Sequence, residues 1–266
     1  MNPARFLPFN LPHFLSILAG LAMIFLPAFL LGAELPQTIV QIKPAIVGVG
    51  TFEITRSPPV NFMGTGFAVG DGHHVITNAH VVPAVLDAER KESLVVMVSQ
   101  GKETQVRDAK TVALDKEHDL ALLRISGEAL TTIKLGDSGN VHEGQMLAFT
   151  GFPIGMVLGL HPVTHRAMVS SITPVVLPGL SSRQLDVKVI NRLRSSSYDV
   201  FQLDGTAYPG NSGSPLYDPQ TGQAFGIVNM VFVKGTKESV LAQPSGITYA
   251  IPGNYIRDLL KAGAAD

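Results

Sequence analysis

The chain has 266 residues and a formal net charge of −1, and 45% of its residues are hydrophobic while 15% are charged. This composition supports a large apolar core and excludes a disordered chain, and the near-zero charge gives no reason to expect nucleic acid as a partner. Cysteine is absent, which excludes disulfides, thiol nucleophiles and cysteine-bound metals. The 26 glycines and 18 prolines favour many short strands joined by turns.

The first 33 residues differ in composition from the remainder. Arg5 is the only formally charged side chain before Glu34, and residues 14–31 are almost wholly apolar. Small residues follow this stretch and suit a signal peptidase, so the pattern favours a signal peptide over residues 1–33. The alternative is an uncleaved anchor that tethers the chain to a membrane through residues 14–31, because this stretch approaches the length needed to span a bilayer. Both interpretations place residues 34–266 outside the cytoplasmic membrane, in the periplasm or secreted.

Twelve short strands are predicted in two sets of six. The first set comprises residues 45–52, 64–70, 74–78, 93–99, 104–114 and 119–125, and the second comprises residues 145–150, 163–175, 199–203, 214–217, 224–233 and 246–251. The count and spacing indicate an all-β chain of two six-stranded units, each a small barrel or sandwich. The only helix predicted lies at residues 252–262, and its apolar packing face comprises Tyr255, Ile256, Leu259 and Leu260.

A serine lies between two glycines in the segment Gly210-Asn211-Ser212-Gly213. Glycine permits the backbone conformations of a tight turn and lets another chain approach the backbone closely. Such a turn can present a hydroxyl nucleophile beside amide donors that stabilise an oxyanion. Loops rich in glycine and serine are also common without any catalytic role, so the motif requires a matching base and orienting group elsewhere.

His80 and Asp119 are the candidates for those two groups. His80 follows a predicted strand immediately before a short turn, and Asp119 begins a strand so apolar that its carboxylate requires a partner. The chain order His80, Asp119, Ser212 is that of the chymotrypsin-type triad, and differs from the subtilisin and α/β-hydrolase orders. Because the first two residues belong to the first unit and Ser212 to the second, a site at the junction of the two units is expected.

Four segments resemble, in order, the trypsin-like HtrA (Deg) serine peptidases: Thr77–Val82, Asp119–Leu123, Leu135–Ser138 and Gly210–Gly213. The resemblance extends from about residue 45 to residue 260. It implies a peptidase domain over residues 34–266, with one β-barrel at about 40–135, a second at about 136–252 and the C-terminal helix after them.

Three features depart from the family pattern. No PDZ domain is expected after the predicted helix. Ser214 stands where the family has glycine, and Tyr208 replaces a smaller polar residue. Neither substitution removes a catalytic group, but Tyr208 is expected to narrow the substrate pocket.

The resemblance implies a role for each site residue. Ser212 attacks the scissile carbonyl, His80 transfers the proton, and Asp119 orients His80 and stabilises its imidazolium form. The backbone amides of Gly210 and Ser212 form the oxyanion hole, and Asn211 shapes the turn.

The resemblance also implies a primary substrate pocket, with lining residues Thr206, Ala207, Tyr208 and Val228. None of these residues is charged, so a charged substrate side chain would be buried there without a partner. We therefore expect cleavage after small or medium aliphatic residues.

Other histidines are assigned no catalytic role. His161 and His165 are four residues apart, but Pro162 and the β-branched neighbours favour a strand, and no glutamate follows His161 as a zinc-peptidase motif requires. His118 adjoins Asp119, but strand neighbours point to opposite faces, so we do not expect His118 to be the base. The basic segment 183–198 is either an exposed loop or, by resemblance, a regulatory loop.

These observations predict an exported serine endopeptidase that acts on unfolded or misfolded polypeptides, with no metal or cofactor. The resemblance allows a homo-oligomer, in the form of a trimer. Two alternatives remain: a processing peptidase of narrow specificity, and a catalytically silent trypsin-fold protein that acts as a binding partner or scaffold.

Overall fold

The computed structural model describes residues 34–100, 103–154, 159–175, 198–230 and 246–263. The N-terminal segment 1–33 lies outside them, as does the basic segment 183–198 except for its last residue. Among the described residues, no helix has the length and apolar character needed to cross a membrane.

The described strands form two closed antiparallel barrels. The first contains β1 (Ile46–Phe52), β2 (Val60–Val69), β3 (His74–Asn78), β4 (Ser93–Gln100), β5 (Glu103–Asp115) and β6 (Leu120–Ile125). The second contains β7 (Met146–Gly151), β8 (Val163–Pro174), β9 (Asp199–Asp204), β10 (Pro215–Tyr217), β11 (Ala224–Asn229) and β12 (Ile247–Pro252). Their strand orders are β1-β2-β3-β6-β5-β4 and β10-β11-β12-β9-β8-β7. The predicted fold class is therefore confirmed, and the two units are barrels.

Apolar residues on β6 pack on both faces of the strand. Leu122 packs in the cluster between the two barrels, and Leu123 packs in the interior of the first barrel. Successive strand residues point to opposite faces, so a strand buried on both faces has no polar alternation. The near-continuous apolar run after Asp119 thus follows from the position of β6 between a barrel core and the neighbouring barrel.

A short helix, α1 (Leu35–Ile42), precedes the first strand and was not predicted. Its eight residues include several β-branched side chains, and so short a helix is marginal by itself. Packing explains its presence: Thr38 and Ile42 are buried, and the Thr38 hydroxyl donates a hydrogen bond of 2.8 Å to the Pro219 carbonyl of the second barrel. The expectation that no helix precedes the C-terminal one was wrong, because this stabilisation is tertiary.

The C-terminal helix, α2 (Gly253–Gly263), contacts β5 and β6 of the first barrel and β11 of the second. Ile256 and Leu259 are buried in the cluster between the barrels, and Tyr255 and Leu260 pack against it. The predicted apolar face is thus a packing face that joins α2 to both barrels.

Truncation of a residue between the barrels should destabilise the fold. Leu122 is 1% exposed and Leu114 is 42% exposed. Leu122→Ala should lower the free energy of unfolding by about 2–5 kcal/mol through lost burial and a residual cavity. The same truncation at Leu114 should cost about 0.5 kcal/mol or less. Urea unfolding followed by circular dichroism measures both values, and equal costs would contradict this assignment of the core.

Candidate active site

His80 and Asp119 lie side by side at the edge of the first barrel. His80 Nδ1 is 2.6 Å from Asp119 Oδ2, and the His80 backbone amide donates to Asp119 Oδ1 at 2.8 Å. Since a carboxylate only accepts hydrogen bonds, Nδ1 carries the proton in this pair and Nε2 of a neutral imidazole is left as an acceptor. The pair has the arrangement needed to abstract a proton at Nε2.

Neighbouring strands bring these two residues together. Asn78 at the end of β3 pairs with Leu120 at the start of β6. Beyond this pair, the Ala79 amide donates to the Asp119 carbonyl at 3.0 Å, and Asn78 Nδ2 donates to the same carbonyl at 3.1 Å. Asp119 has a positive φ of 52°, which is uncommon for a residue other than glycine. These bonds hold the backbone in that conformation.

Asn229 at the end of β11 also binds the Asp119 carboxylate. Its Nδ2 donates to Asp119 Oδ2 at 2.7 Å, and the residue is fully buried. The second barrel therefore contributes a ligand to a carboxylate of the first. No local motif marks Asn229, so its role is not predicted from the sequence; only the pairing of the strands places it beside Asp119.

A network of backbone hydrogen bonds shapes the turn that carries Ser212. The Asn211 amide donates to the Tyr208 carbonyl at 2.9 Å, and the Ser214 amide donates to the Asn211 carbonyl at 3.0 Å. The Gly213 amide donates to the Val228 carbonyl of β11 at 3.0 Å. The Asn211 amide is thus already used within the turn.

The backbone amides of Gly210 and Ser212 point in a different direction from the Asn211 amide. The Pro209 carbonyl accepts from the Ile154 amide at 2.7 Å, and the Asn211 carbonyl accepts a bond within the turn. In a trans peptide the N–H points opposite to the preceding carbonyl, so the amides of Gly210 and Ser212 point away from these acceptors. Within the described residues neither amide donates a backbone hydrogen bond. Their assignment to an oxyanion hole stays a prediction.

Thr65 of β2 connects the first barrel to this turn. Its amide donates to the Ser212 carbonyl at 2.8 Å, and its hydroxyl donates to the Gly210 carbonyl at 2.7 Å. The same hydroxyl accepts from the Phe152 amide at 3.0 Å, and the Thr77 hydroxyl donates to the Thr65 carbonyl at 2.7 Å. Thr65 is fully buried, whereas Gly210 is half-buried, so the Thr65 end of each bond is shielded from water.

Gly64 lies between the turn and the segment that carries His80. A Cβ at Gly64 would lie 2.7 Å from a Val81 methyl group and 3.0 Å from the Ser212 carbonyl oxygen. The backbone of Ser212 therefore lies close to the residue that follows His80. Among the described side chains no hydrogen bond joins Ser212 Oγ to His80, and in free enzymes such bonds often form only with substrate.

Ser214, which replaces the family's glycine, lies behind the turn against Gly151 of β7. A Cβ at Gly151 would lie 1.9 Å from Ser214 Oγ and 2.9 Å from both Asn211 Oδ1 and Thr65 Oγ1. Ser214 Oγ and both polar atoms of the Asn211 side chain are buried without a hydrogen-bond partner among the described residues. The additional hydroxyl therefore requires glycine at position 151.

Two of the four predicted pocket residues are in the interior of the second barrel. Ala207 and Val228 are buried in one apolar cluster with Phe149, while Thr206 and Tyr208 are half-buried. The pocket assignment itself stays a prediction.

His165 lies at the same end of the second barrel. It pairs across the sheet with Phe149 and stacks on it with ring centroids 4.9 Å apart, and its ring lies 6.4 Å from that of Tyr208. Burial lowers the pKa of His165, which favours the neutral imidazole. In the described part of the chain no group of three or more potential metal-binding side chains occurs.

A groove of about 450 Å³ opens beside the His80–Asp119 pair. Its lining residues are Ala79, Val82, Pro83, Ala84, Thr111, Leu114, Lys116 and Asp119. The walls are mainly apolar, which suits side chains of a bound polypeptide.

His118 engages a different carboxylate from that of Asp119. Its Nδ1 is 2.6 Å from Asp115 Oδ2. His118 was not expected to be the base, on the assumption that it and Asp119 point to opposite faces of one strand. That assumption does not hold, because β6 begins only at Leu120. His118 is instead kept from Asp119 by its contact with Asp115.

Two closed six-stranded barrels with a His–Asp pair at their junction define the chymotrypsin-like fold. The profile of the trypsin-like peptidase domain matches residues 64–227. The chain belongs to the trypsin-like peptidase family.

The chain is also similar to proteins of the HtrA and DegP type, the group that its motifs resemble. A probable periplasmic serine endoprotease, DegP-like, of Halomonas elongata is 30% identical over 197 residues, which are 74% of this chain and 34% of that protein. A protein of the same description from Pseudomonas putida (strain W619) is 32% identical over 198 residues, with the same two shares. The solved structure of the HtrA-type protease AlgW with decapeptide has a TM-score of 0.65 at 19% identity, and the match covers 88% of this chain and 68% of that chain. The resemblance predicted from the motifs is confirmed, and this chain spans about a third of the length of these curated relatives.

The contact between Ser214 and Gly151 predicts a rescue experiment. Gly151→Ala should displace the turn that carries Ser212 at a cost of about 1–3 kcal/mol from overpacking, and should slow labelling of Ser212 by a serine-directed phosphonate. Adding Ser214→Gly should restore most of the labelling rate, because it removes the atom nearest to the new methyl group. Ser214→Gly alone is the control and should stay close to wild type. Unchanged labelling of Gly151→Ala would contradict the prediction.

Proposed function

We propose that this chain is an exported serine endopeptidase that hydrolyses polypeptides through His80, Asp119 and Ser212. The observation that carries the proposal is the 2.6 Å contact between His80 Nδ1 and Asp119 Oδ2, at a barrel edge to which Thr65 attaches the Ser212 turn. Membership of the trypsin-like peptidase family supports the same chemistry.

In the proposed mechanism His80 Nε2 removes the proton of the Ser212 hydroxyl as its oxygen attacks the scissile carbonyl. The amides of Gly210 and Ser212 donate to the oxyanion of the tetrahedral intermediate. The His80 imidazolium then gives its proton to the leaving amine, and an acyl-enzyme on Ser212 remains. His80 then takes a proton from water as the water attacks the acyl group. The resulting tetrahedral intermediate releases the new carboxyl end while the His80 imidazolium returns the proton to the Ser212 oxygen.

Asp119 has two functions in this scheme. Its two oxygens accept from the backbone amide and Nδ1 of His80. These bonds fix the orientation of the ring and keep the proton on Nδ1, which is the tautomer that the mechanism needs. Its negative charge stabilises the imidazolium that forms during each proton transfer. Asn229 holds the carboxylate from the opposite side.

The proposed substrates are unfolded polypeptides, and the proposed location is outside the cytoplasmic membrane. Two relatives are described as periplasmic serine endoproteases, and the apolar segment 14–31 has the composition of an export signal or anchor. The mainly apolar groove beside Asp119 is of a size to receive side chains of an extended chain. A homo-oligomer, by resemblance a trimer, belongs to the same proposal.

The first experiment compares casein digestion by the purified protein and by Ser212→Ala. We expect the wild type to cleave and the variant to lose about 10⁴-fold or more of the rate, because removal of the nucleophile abolishes the acyl-enzyme route. If neither protein cleaves casein but the phosphonate labels Ser212, the chain is a peptidase of narrow specificity. Absence of both cleavage and label would favour the silent binding protein.

A peptide-library profile tests the uncharged pocket. Cleavage should follow Val, Ala or Leu, because Thr206, Ala207 and Val228 offer no partner to a buried charge. Ala207→Val adds volume to this site and should shift the preference from Leu towards Ala. A profile dominated by Arg or Lys would refute the pocket assignment, and so would an unchanged profile in the variant.

A further inference from the structure

A second histidine–carboxylate pair lies in the turn directly before Asp119. The backbone amides of Glu117 and His118 both donate to Asp115 Oδ1 at 3.0 Å. His118 Nδ1 contacts the other oxygen of the same carboxylate at 2.6 Å. Asp115 therefore closes the turn over residues 115–118 through both of its oxygens, and the His118 ring fixes the orientation of that carboxylate.

The His118 ring joins this turn to the second barrel and to α2. It stacks on Tyr255 of α2 with centroids 4.0 Å apart and planes 18° apart. It also meets Tyr198, the residue before β9, edge-on at 4.6 Å, and the two tyrosine rings are 5.5 Å apart. One ring of the first barrel thus packs in a group of three aromatic rings whose other members come from the second barrel and the helix.

The tyrosines in this group stay neutral. Burial raises the pKa of Tyr198, and the nearby charges of Asp119 and Asp115 raise it further. Burial also raises the pKa of Tyr255, followed by the charges of Asp199, Asp258 and Glu117. Both tyrosine hydroxyls therefore keep their protons at neutral pH.

The backbone of Asp119 depends on what precedes it. Its φ of 52° is a sparsely populated conformation for an aspartate, and such conformations persist only where the surrounding structure holds them. Hydrogen bonds from Asn78 and Ala79 hold the carbonyl side of Asp119. On its amide side Asp119 follows His118, whose ring contacts Asp115, Tyr198 and Tyr255.

We propose that His118 is a positioning residue: by joining the turn before Asp119 to Tyr198 and Tyr255, it sets the direction of the carboxylate that orients His80. This inference rests on the proposed function. It adds a role for a histidine that is not itself a proton carrier in the reaction, and it makes the packing of α2 on the first barrel a condition for a well-oriented His80.

The first barrel contains a matched control. His74 Nδ1 contacts Asp71 Oδ1 at 2.8 Å, with the same three-residue spacing as His118 and Asp115. His74 begins β3 while Asn78 ends it, so this pair lies at the opposite end of the strand from His80. His74→Ala removes a histidine–carboxylate contact of the same kind without touching the turn before Asp119.

The test measures kcat, KM and the pH dependence of kcat/KM for wild type, His118→Ala, Tyr255→Ala, Tyr255→Phe and His74→Ala, well below the unfolding temperature of each. We expect His118→Ala and Tyr255→Ala to lower kcat by about 10- to 100-fold with little change in KM, because small displacements of catalytic groups have effects of this size. The acid limb of the pH profile should move to lower pH, since a displaced Asp119 stabilises the imidazolium of His80 less. Tyr255→Phe, which keeps the stacked ring, and His74→Ala should both resemble wild type.

A second readout does not require turnover. The proton shared by His80 Nδ1 and Asp119 should give a strongly deshielded proton NMR signal in wild type and in Ser212→Ala, and this signal should shift or disappear in His118→Ala but not in His74→Ala. Unchanged kcat, pH profile and NMR signal in His118→Ala would overturn the inference, as would an effect no larger than that of His74→Ala. If wild type neither cleaves nor is labelled, the proposed function fails, and the NMR comparison by itself then decides the role of His118.

Discussion

The buried contact between Thr65 and the Ser212 turn is the interaction on which the site depends. The amide and hydroxyl of Thr65 donate to the carbonyls of Ser212 and Gly210. The Thr65 carbonyl accepts a hydrogen bond from the Thr77 hydroxyl. Thr65 and Thr77 are fully buried, and a buried polar group without a partner costs about 1–3 kcal/mol. The turn therefore has one favourable position relative to β2. Because β2 and β3 belong to the same barrel, this position also sets the distance from Ser212 to the segment that carries His80.

Asp119 is held from both barrels at once. The first barrel supplies the strand pairing and the bonds to its carbonyl, and the second supplies the amide of Asn229 and the aromatic contact with the preceding His118. The helix α2 packs on both barrels and contributes Tyr255 to the same region. In the proposed mechanism, a carboxylate supported from several elements keeps its orientation while the neighbouring imidazole gains and loses charge, which is the preorganisation that proton transfer requires.

The two departures from the family pattern have different consequences. Ser214 adds a hydroxyl that is buried without a hydrogen bond among the described residues, directly against Gly151. It leaves the backbone bonds of the turn in place, and the space for it comes from the absence of a side chain on β7. Tyr208 lies at the turn entrance near His165, whose ring stacks on Phe149. If the predicted pocket is correct, it combines an aromatic group with the aliphatic residues Ala207 and Val228.

The sequence by itself determined the two sets of six strands, the C-terminal helix with its packing face, and the candidate residues His80, Asp119 and Ser212. These features are encoded locally. Short apolar runs between turn residues indicate the strands, and the turn that carries Ser212 is indicated by glycines, which permit backbone conformations that other residues rarely adopt. The tertiary structure decided which distant residues meet. Thr65, Asn229 and the aromatic partners of His118 carry no local signal, because strand pairing and barrel packing place them beside the site. The same reason accounts for α1, a segment too short to be helical without the surface against which Thr38 and Ile42 are buried.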